Sequence, residues 1–127
     1  MVVAQEPNAA DVGLKGLQSG ANAADAAIAI AMALAVTHPS AGNIGGGGFF
    51  VIRKADGSTA FIDFRERAPM GASRDMYIAK DGRLTREMLV GWRTSGVPGT
   101  VRGMELIHQK FATKSWAELL QPAVDLA

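Results

Sequence analysis

Gly42-Asn43-Ile44-Gly45-Gly46-Gly47-Gly48-Phe49-Phe50 is the stretch whose reading decides the fold. Glycine loses more backbone entropy on ordering than any other residue, so four in a row need a physical reason. They can supply positive φ, admit a neighbouring backbone or ligand closely, or form a loose loop. The flanks argue against looseness. A long alanine-rich apolar run precedes the glycines, and Phe49-Phe50-Val51-Ile52 follows them. Ile44 and these four are expected to be buried. The stretch therefore reads as a tight, packed crossing from a helix to a sheet, with a ligand-lining loop as the competing reading.

A phosphate cradle is disfavoured by the order of elements. Dinucleotide and P-loop fingerprints run strand, glycines, helix, so that the phosphate meets a helix N-terminus. Here the order is helix, glycines, strand, and Phe49-Phe50 stands where a P-loop needs Lys-Ser/Thr.

Working outward, the upstream run predicts a helix over 23–36, built almost wholly of alanine, isoleucine, methionine, leucine and valine. Asn22 is a suitable N-cap and Asp25 puts a negative charge in the first turn. A helix apolar all round is buried on most sides, and this one carries more apolar surface than its own chain is expected to enclose. Before it, Pro7 suits a first turn, and Ala10, Leu14 and Leu17 give a helix over about 8–19 with Gly20 just beyond its end. Residues 1–5 read as a short buried strand.

Downstream, 49–54 and 58–64 read as two strands joined by a hairpin turn at Ala55-Asp56-Gly57. Residues 70–97 lack a clear period, with a turn expected at Lys80-Asp81-Gly82-Arg83. Pro98 suits the first turn of another helix, whose apolar face is Val101, Met104, Ile107 or His108, and Phe111. Ser115-Trp116-Ala117-Glu118 is a capping-box pattern opening a last helix, which Pro122 should kink or restart. The whole is expected to be one partial domain over 1–127 with no internal boundary, and the unclosed last helix suggests a piece of a longer protein.

Composition narrows the function. The chain has 127 residues, 48% apolar and 20% charged, with net charge +1. That balance offers no electrostatic capture of nucleic acid or anionic membrane. The absence of cysteine excludes disulfides, thiolate catalysis and cysteine-based zinc sites. The N-terminus lacks a signal-peptide pattern, and the apolar run 26–36 is shorter than the roughly 20 residues that span a bilayer. No cofactor or metal site is expected.

The candidate chemistry gathers after the second strand, in Asp63-Phe64-Arg65-Glu66-Arg67-Ala68-Pro69. An arginine fork matches a carboxylate in two parallel hydrogen bonds. Two readings stand side by side: a solvated charge cluster with internal ion pairs, or Arg65 as a clamp for a carboxylate or phosphate. Asp63 and Glu66 could form an acid/base pair, but spacing alone does not set their separation. His38 and His108 have no partner at a metal-ligand spacing, and no serine sits in a Gly-x-Ser-x-Gly elbow.

Several ordered motifs resemble the large-subunit start of gamma-glutamyltranspeptidases. They are Gly20-Ala21-Asn22-Ala23-Ala24-Asp25-Ala26-Ala27, Thr37-His38-Pro39-Ser40-Ala41-Gly42-Asn43-Ile44 with the glycines to Phe49, and Asp63-Phe64-Arg65-Glu66-Arg67-Ala68-Pro69. Ser95-Gly96-Val97-Pro98-Gly99-Thr100-Val101 and Trp116-Ala117-Glu118-Leu119-Leu120-Gln121-Pro122-Ala123 complete the set. The resemblance covers essentially the whole chain. It implies an α/β (α+β) fold, the αββα sandwich of N-terminal nucleophile hydrolases, with only part of it in this chain. It implies an enzyme that cleaves the γ-glutamyl amide of glutathione and related compounds and passes the γ-glutamyl group to water or to an amino acid or peptide. The nucleophile is then a threonine at the start of a separate small subunit, freed by self-cleavage of a precursor, its own α-amino group helping to activate it. This chain would hold no catalytic residue and would be inactive alone. Arg65 would bind the substrate's α-carboxylate. The implied partners are the rest of the large subunit and the small subunit, and the implied location is the periplasm or the outside of the cell. Thr37 matches the family's Thr-His-Pro segment, not its nucleophile. Related alternatives are a cephalosporin or glutaryl acylase, a poly-γ-glutamate-processing enzyme, and a non-catalytic carboxylate-binding module or remnant.

Overall fold

The computed structural model describes residues 1–127. Four helices and one hairpin follow in the order α1 (Pro7–Gln18), α2 (Ala23–Thr37), β1 (Phe49–Arg53), β2 (Thr59–Asp63), α3 (Thr100–Phe111) and α4 (Trp116–Leu126), with two single 3-10 turns between β2 and α3. Helix α2 is central, packing against α1, α4 and α3.

Local chemistry explains the helix starts. In α1, Pro7 stands in the first turn and the Glu6 carboxylate accepts from the backbone N–H groups of Asn8 and Ala9. The Asn22 side chain accepts from Ala24 and Asp25 while Asp25 accepts from the Asn22 backbone, a complete capping box on α2. Ser115 and Glu118 form the second box on α4. Gly20, at φ +87°, follows the end of α1 as expected.

The core is thin, with 16 of 127 residues buried, so each buried group carries a large share of the stability. Its centre joins Ala24, Ile28 and Met32 of α2, Ile62 of β2, Met104 and Ile107 of α3, and Leu119 and Ala123 of α4. Seven of the fifteen α2 residues are buried and only Ala23 is exposed, in keeping with its apolar sequence.

The hairpin is antiparallel, with Phe49 opposite Asp63 and Arg53 opposite Thr59. Phe50, Ile52 and Ile62 pack toward the helices. The other face does not match the expectation that all of 49–52 is buried: Phe49, Val51 and Phe61 are exposed, with the Phe49 and Phe61 rings stacked at 5.9 Å. Successive strand residues point to opposite faces, and this chain lays helices on only one. Ile44 is also exposed.

Three further expectations need correction. Residues 1–5 form no strand, because the only sheet is the β1–β2 hairpin and none of its strands pairs with them. Helix α3 starts two residues after Pro98, and its first free N–H groups, Gly99 and Thr100, donate to the Gly46 carbonyl at 2.7 and 3.1 Å. Its buried face is Thr100, Gly103, Met104 and Ile107, whereas Val101 is exposed. Pro122 does not restart α4. The helix runs through it, held against α2 by buried Leu119 and Ala123 on either side of the missing hydrogen bond.

Candidate functional site

The glycine stretch is a close crossing, and none of its glycines uses positive φ. A Cβ on Gly47 would lie 2.7–2.8 Å from the backbone of Phe64, Arg65 and Glu66. A Cβ on Gly99 would lie 1.9 Å from the Phe64 carbonyl oxygen. Residues 64–66 are thus gripped between two backbones that only glycine lets approach so closely.

Hydrogen bonds fix the grip. Phe64 N–H donates to the Gly48 carbonyl at 3.0 Å, continuing the ladder past the end of β2. Asp63 turns its carboxylate back to accept the Arg65 N–H at 2.9 Å. Arg67 and Val97 exchange both main-chain hydrogen bonds, at 3.2 and 2.8 Å. The Phe64 ring fills the space above Gly103 on α3.

On this ordered backbone the Arg65 side chain is free. It is 69% exposed, and its one ionic neighbour is Glu66, 3.7 Å from Nε, beyond hydrogen-bond distance. Arg65 lines two clefts. One, of about 590 Å³, is shared with Arg67, Ser73, Tyr77, Arg93 and Ser95. The other, of about 250 Å³, is shared with Asp63, Arg67, Pro98 and Arg102. Tyr77 donates its hydroxyl to the Arg93 carbonyl, and Arg93 reaches Glu87 at 3.1 Å. These cleft walls were not legible in the sequence, because 70–97 has no period to place them.

The other candidates separate from this site. Asp63 is engaged in its own turn and forms no pair with Glu66 in the hydrogen bonds or ion pairs of the chain. Thr37 donates its hydroxyl to the Ala33 carbonyl at 3.1 Å, back along its own helix. His38 caps the end of α2, its carbonyl accepting from Ala41 and Gly42. His108 is half-buried, its Nε2 2.9 Å from the Lys114 carbonyl and its ring edge-on to Trp116. No three carboxylate or imidazole groups gather where they could hold a metal ion.

Asp25 carries more than a charge in a first turn. It is fully buried and accepts four hydrogen bonds: from Asn22 N, Thr113 N, Thr113 Oγ1 and Lys114 N, at 2.6–3.1 Å. Burial works to raise its pKa. The Thr113 hydroxyl and the three backbone N–H groups outweigh that effect and hold it below the ordinary aspartate value. With Asn22 Nδ2 donating to the Phe111 carbonyl at 2.7 Å, it staples the start of α2 to the turn between α3 and α4.

The family model for gamma-glutamyltranspeptidase matches residues 9–127. The glutathione hydrolase proenzyme of Pseudomonas sp. (strain A14) is 50% identical over 128 residues, covering all of this chain and 22% of that protein. The chain thus spans about a fifth of the curated relatives it matches. The crystal structure of Helicobacter pylori gamma-glutamyltranspeptidase is similar with a TM-score of 0.97 at 47% identity, over 100% of this chain and 37% of that one. The Bacillus anthracis transpeptidase enzyme CapD is also similar, with a TM-score of 0.78 at 36% identity, over 99% of this chain and 37% of that one. Helices on one face of a hairpin therefore form part of the α+β fold of N-terminal nucleophile hydrolases. On its motifs, its fold and the family model that runs to its last residue, the chain belongs to the gamma-glutamyltranspeptidase family.

Proposed function

We propose that this chain is one continuous part of the large subunit of an enzyme that cleaves γ-glutamyl amides such as glutathione, and that Arg65 holds the α-carboxylate of the γ-glutamyl group. The observation that carries this reading is an exposed guanidinium, with no hydrogen-bonded acid, on a backbone gripped between residues 47 and 99. A planar fork on a fixed base is suited to take a carboxylate in two parallel bonds and to orient the amide beyond it.

The chemistry then divides between chains. A threonine at the start of the small subunit attacks the γ-carbonyl, with its own α-amino group as base, and the γ-glutamyl-enzyme passes to water or to an amino acid or peptide. Arg65 orients, and no residue of this chain supplies the nucleophile. The whole enzyme works in the periplasm or outside the cell. No helix of the chain is long and apolar enough to cross a membrane. An acylase or a poly-γ-glutamate-processing enzyme is favoured less, since the relatives at 47–50% identity carry the name glutathione hydrolase proenzyme.

The test is Arg65→Ala in the complete two-subunit enzyme. Removing one partner of a charge-assisted hydrogen-bonded pair costs about 1.5–3 kcal/mol, roughly tenfold or more in KM for a γ-glutamyl anilide. An unchanged KM refutes the clamp.

A further inference from the structure

We propose that Arg67 binds a second carboxylate, the one that ends the leaving group, so that the site prefers γ-glutamyl donors whose leaving peptide carries a free C-terminal carboxylate. The proposal rests on the γ-glutamyl reading of Arg65 and adds the other half of the donor to it.

Both clefts that Arg65 lines are lined by Arg67 as well. Four arginines border them in all, and their acidic neighbours set them apart. Arg93 is paired with Glu87 and Arg102 with Glu105, and Arg65 has Glu66 at a distance. Arg67 alone has no carboxylate partner and no side-chain hydrogen bond, and it is exposed. Its backbone is nonetheless fixed, by the paired hydrogen bonds to Val97. A cation that is ordered at its base and uncompensated at its tip is suited to an anion from outside the chain.

The chemistry of the donor sets which anion. In glutathione, the γ-amide and a dipeptide separate the α-carboxylate from the terminal carboxylate, too far for one guanidinium to hold both. Two arginines two residues apart have Cα atoms within about 7 Å, and their long side chains can diverge to reach both ends. With Arg65 on the γ-glutamyl half, which every donor shares, Arg67 falls to the half that differs between donors.

The experiment uses the complete enzyme with three donors: glutathione, glutathione with its terminal carboxylate converted to an amide, and γ-glutamyl-p-nitroanilide. The readout is the ratio of kcat/KM for glutathione to that for each of the other two. Arg67→Gln should lower both ratios by about five- to tenfold, as for loss of a partly exposed charge-assisted hydrogen bond. Arg67→Lys should recover part of the loss. In the unsubstituted enzyme the amide should be the poorer donor, and in Arg67→Gln it should equal glutathione. Ratios that do not move, including proportional loss of all three donors, overturn the proposal. Arg65→Ala acts on the shared half and lowers all donors alike, so failure of the clamp and failure of the second site read differently.

Discussion

Replacing Asp25 with alanine is expected to destabilise the chain by about 4 kcal/mol at neutral pH. Four donors lose their acceptor at once: Asn22 N, Thr113 N, Thr113 Oγ1 and Lys114 N. An unpaired buried donor costs about 1–3 kcal/mol. Thr113 is exposed and Lys114 and Asn22 are half-buried, so water can reach part of the freed set and the low end applies to each. Asp25→Asn should cost less, about 2–3 kcal/mol, because its carbonyl can keep the two donors that face one oxygen. For a chain this long, 4 kcal/mol corresponds to a fall in Tm of roughly 10–20 °C. The sign of the pH dependence follows from the depressed folded pKa. The contribution is complete above the unfolded aspartate pKa of about 3.9 and is lost as pH falls through the lower folded value. Glu6, Asp56 and Glu118 are lowered as well, so the difference between wild type and Asp25→Ala isolates the Asp25 share. Urea unfolding, followed by circular dichroism and by fluorescence of Trp116 beside His108, measures it between pH 7 and pH 2. A difference under about 1 kcal/mol at pH 7, or one that stays constant to the acid end, refutes the staple.

Two more outcomes follow from the same geometry. Gly99→Ala puts a Cβ 1.9 Å from the Phe64 carbonyl oxygen, a backbone atom that cannot swing aside; a loss of about 3 kcal/mol or more in unfolding free energy is expected, and a loss under 1 kcal/mol shows the approach is looser than described. The purified 127-residue chain, with no nucleophile assigned to it, should release no anilide from a γ-glutamyl anilide; turnover by this chain alone would contradict the division of labour between subunits.

Features set by neighbours in sequence were legible. The capping boxes at Asn22-Asp25 and Ser115-Glu118 need only a four-residue window, and both form as read. The hairpin followed from alternation around Asp56-Gly57, with Gly57 at φ +83°. Features set by distant partners were not. Alternation tells which of Phe49, Phe50, Val51 and Ile52 share a face, but not which face the helices cover. The glycine stretch was legible as a tight crossing, but the backbone that it admits, residues 64–66, lies well away in sequence. Asp25 reads as one more first-turn carboxylate until Thr113 and Lys114 fold onto it. Arg65 stood out from the charges around it only through the family resemblance. The pattern alone left an ion-paired cluster and a clamp both open.

The role proposed for Arg65 would give a reason for the glycines that crowd around this one exposed side chain. Ordering a backbone residue costs about 1–2 kcal/mol, and ordering a long side chain up to about 2 kcal/mol more. An arginine on a loose loop would lose both on binding a carboxylate. Here the backbone is already held from three directions: the Gly48 carbonyl takes Phe64 N–H, Val97 brackets Arg67, and Gly46 ties the start of α3 to the same knot. Only the side-chain rotamers remain to be ordered, and they lie in open clefts. On the role proposed for Arg65, a mutation at residue 47 or 99 should therefore raise KM in the complete enzyme, by loosening the base of the fork and leaving its charge intact, and an unchanged KM would count against that role.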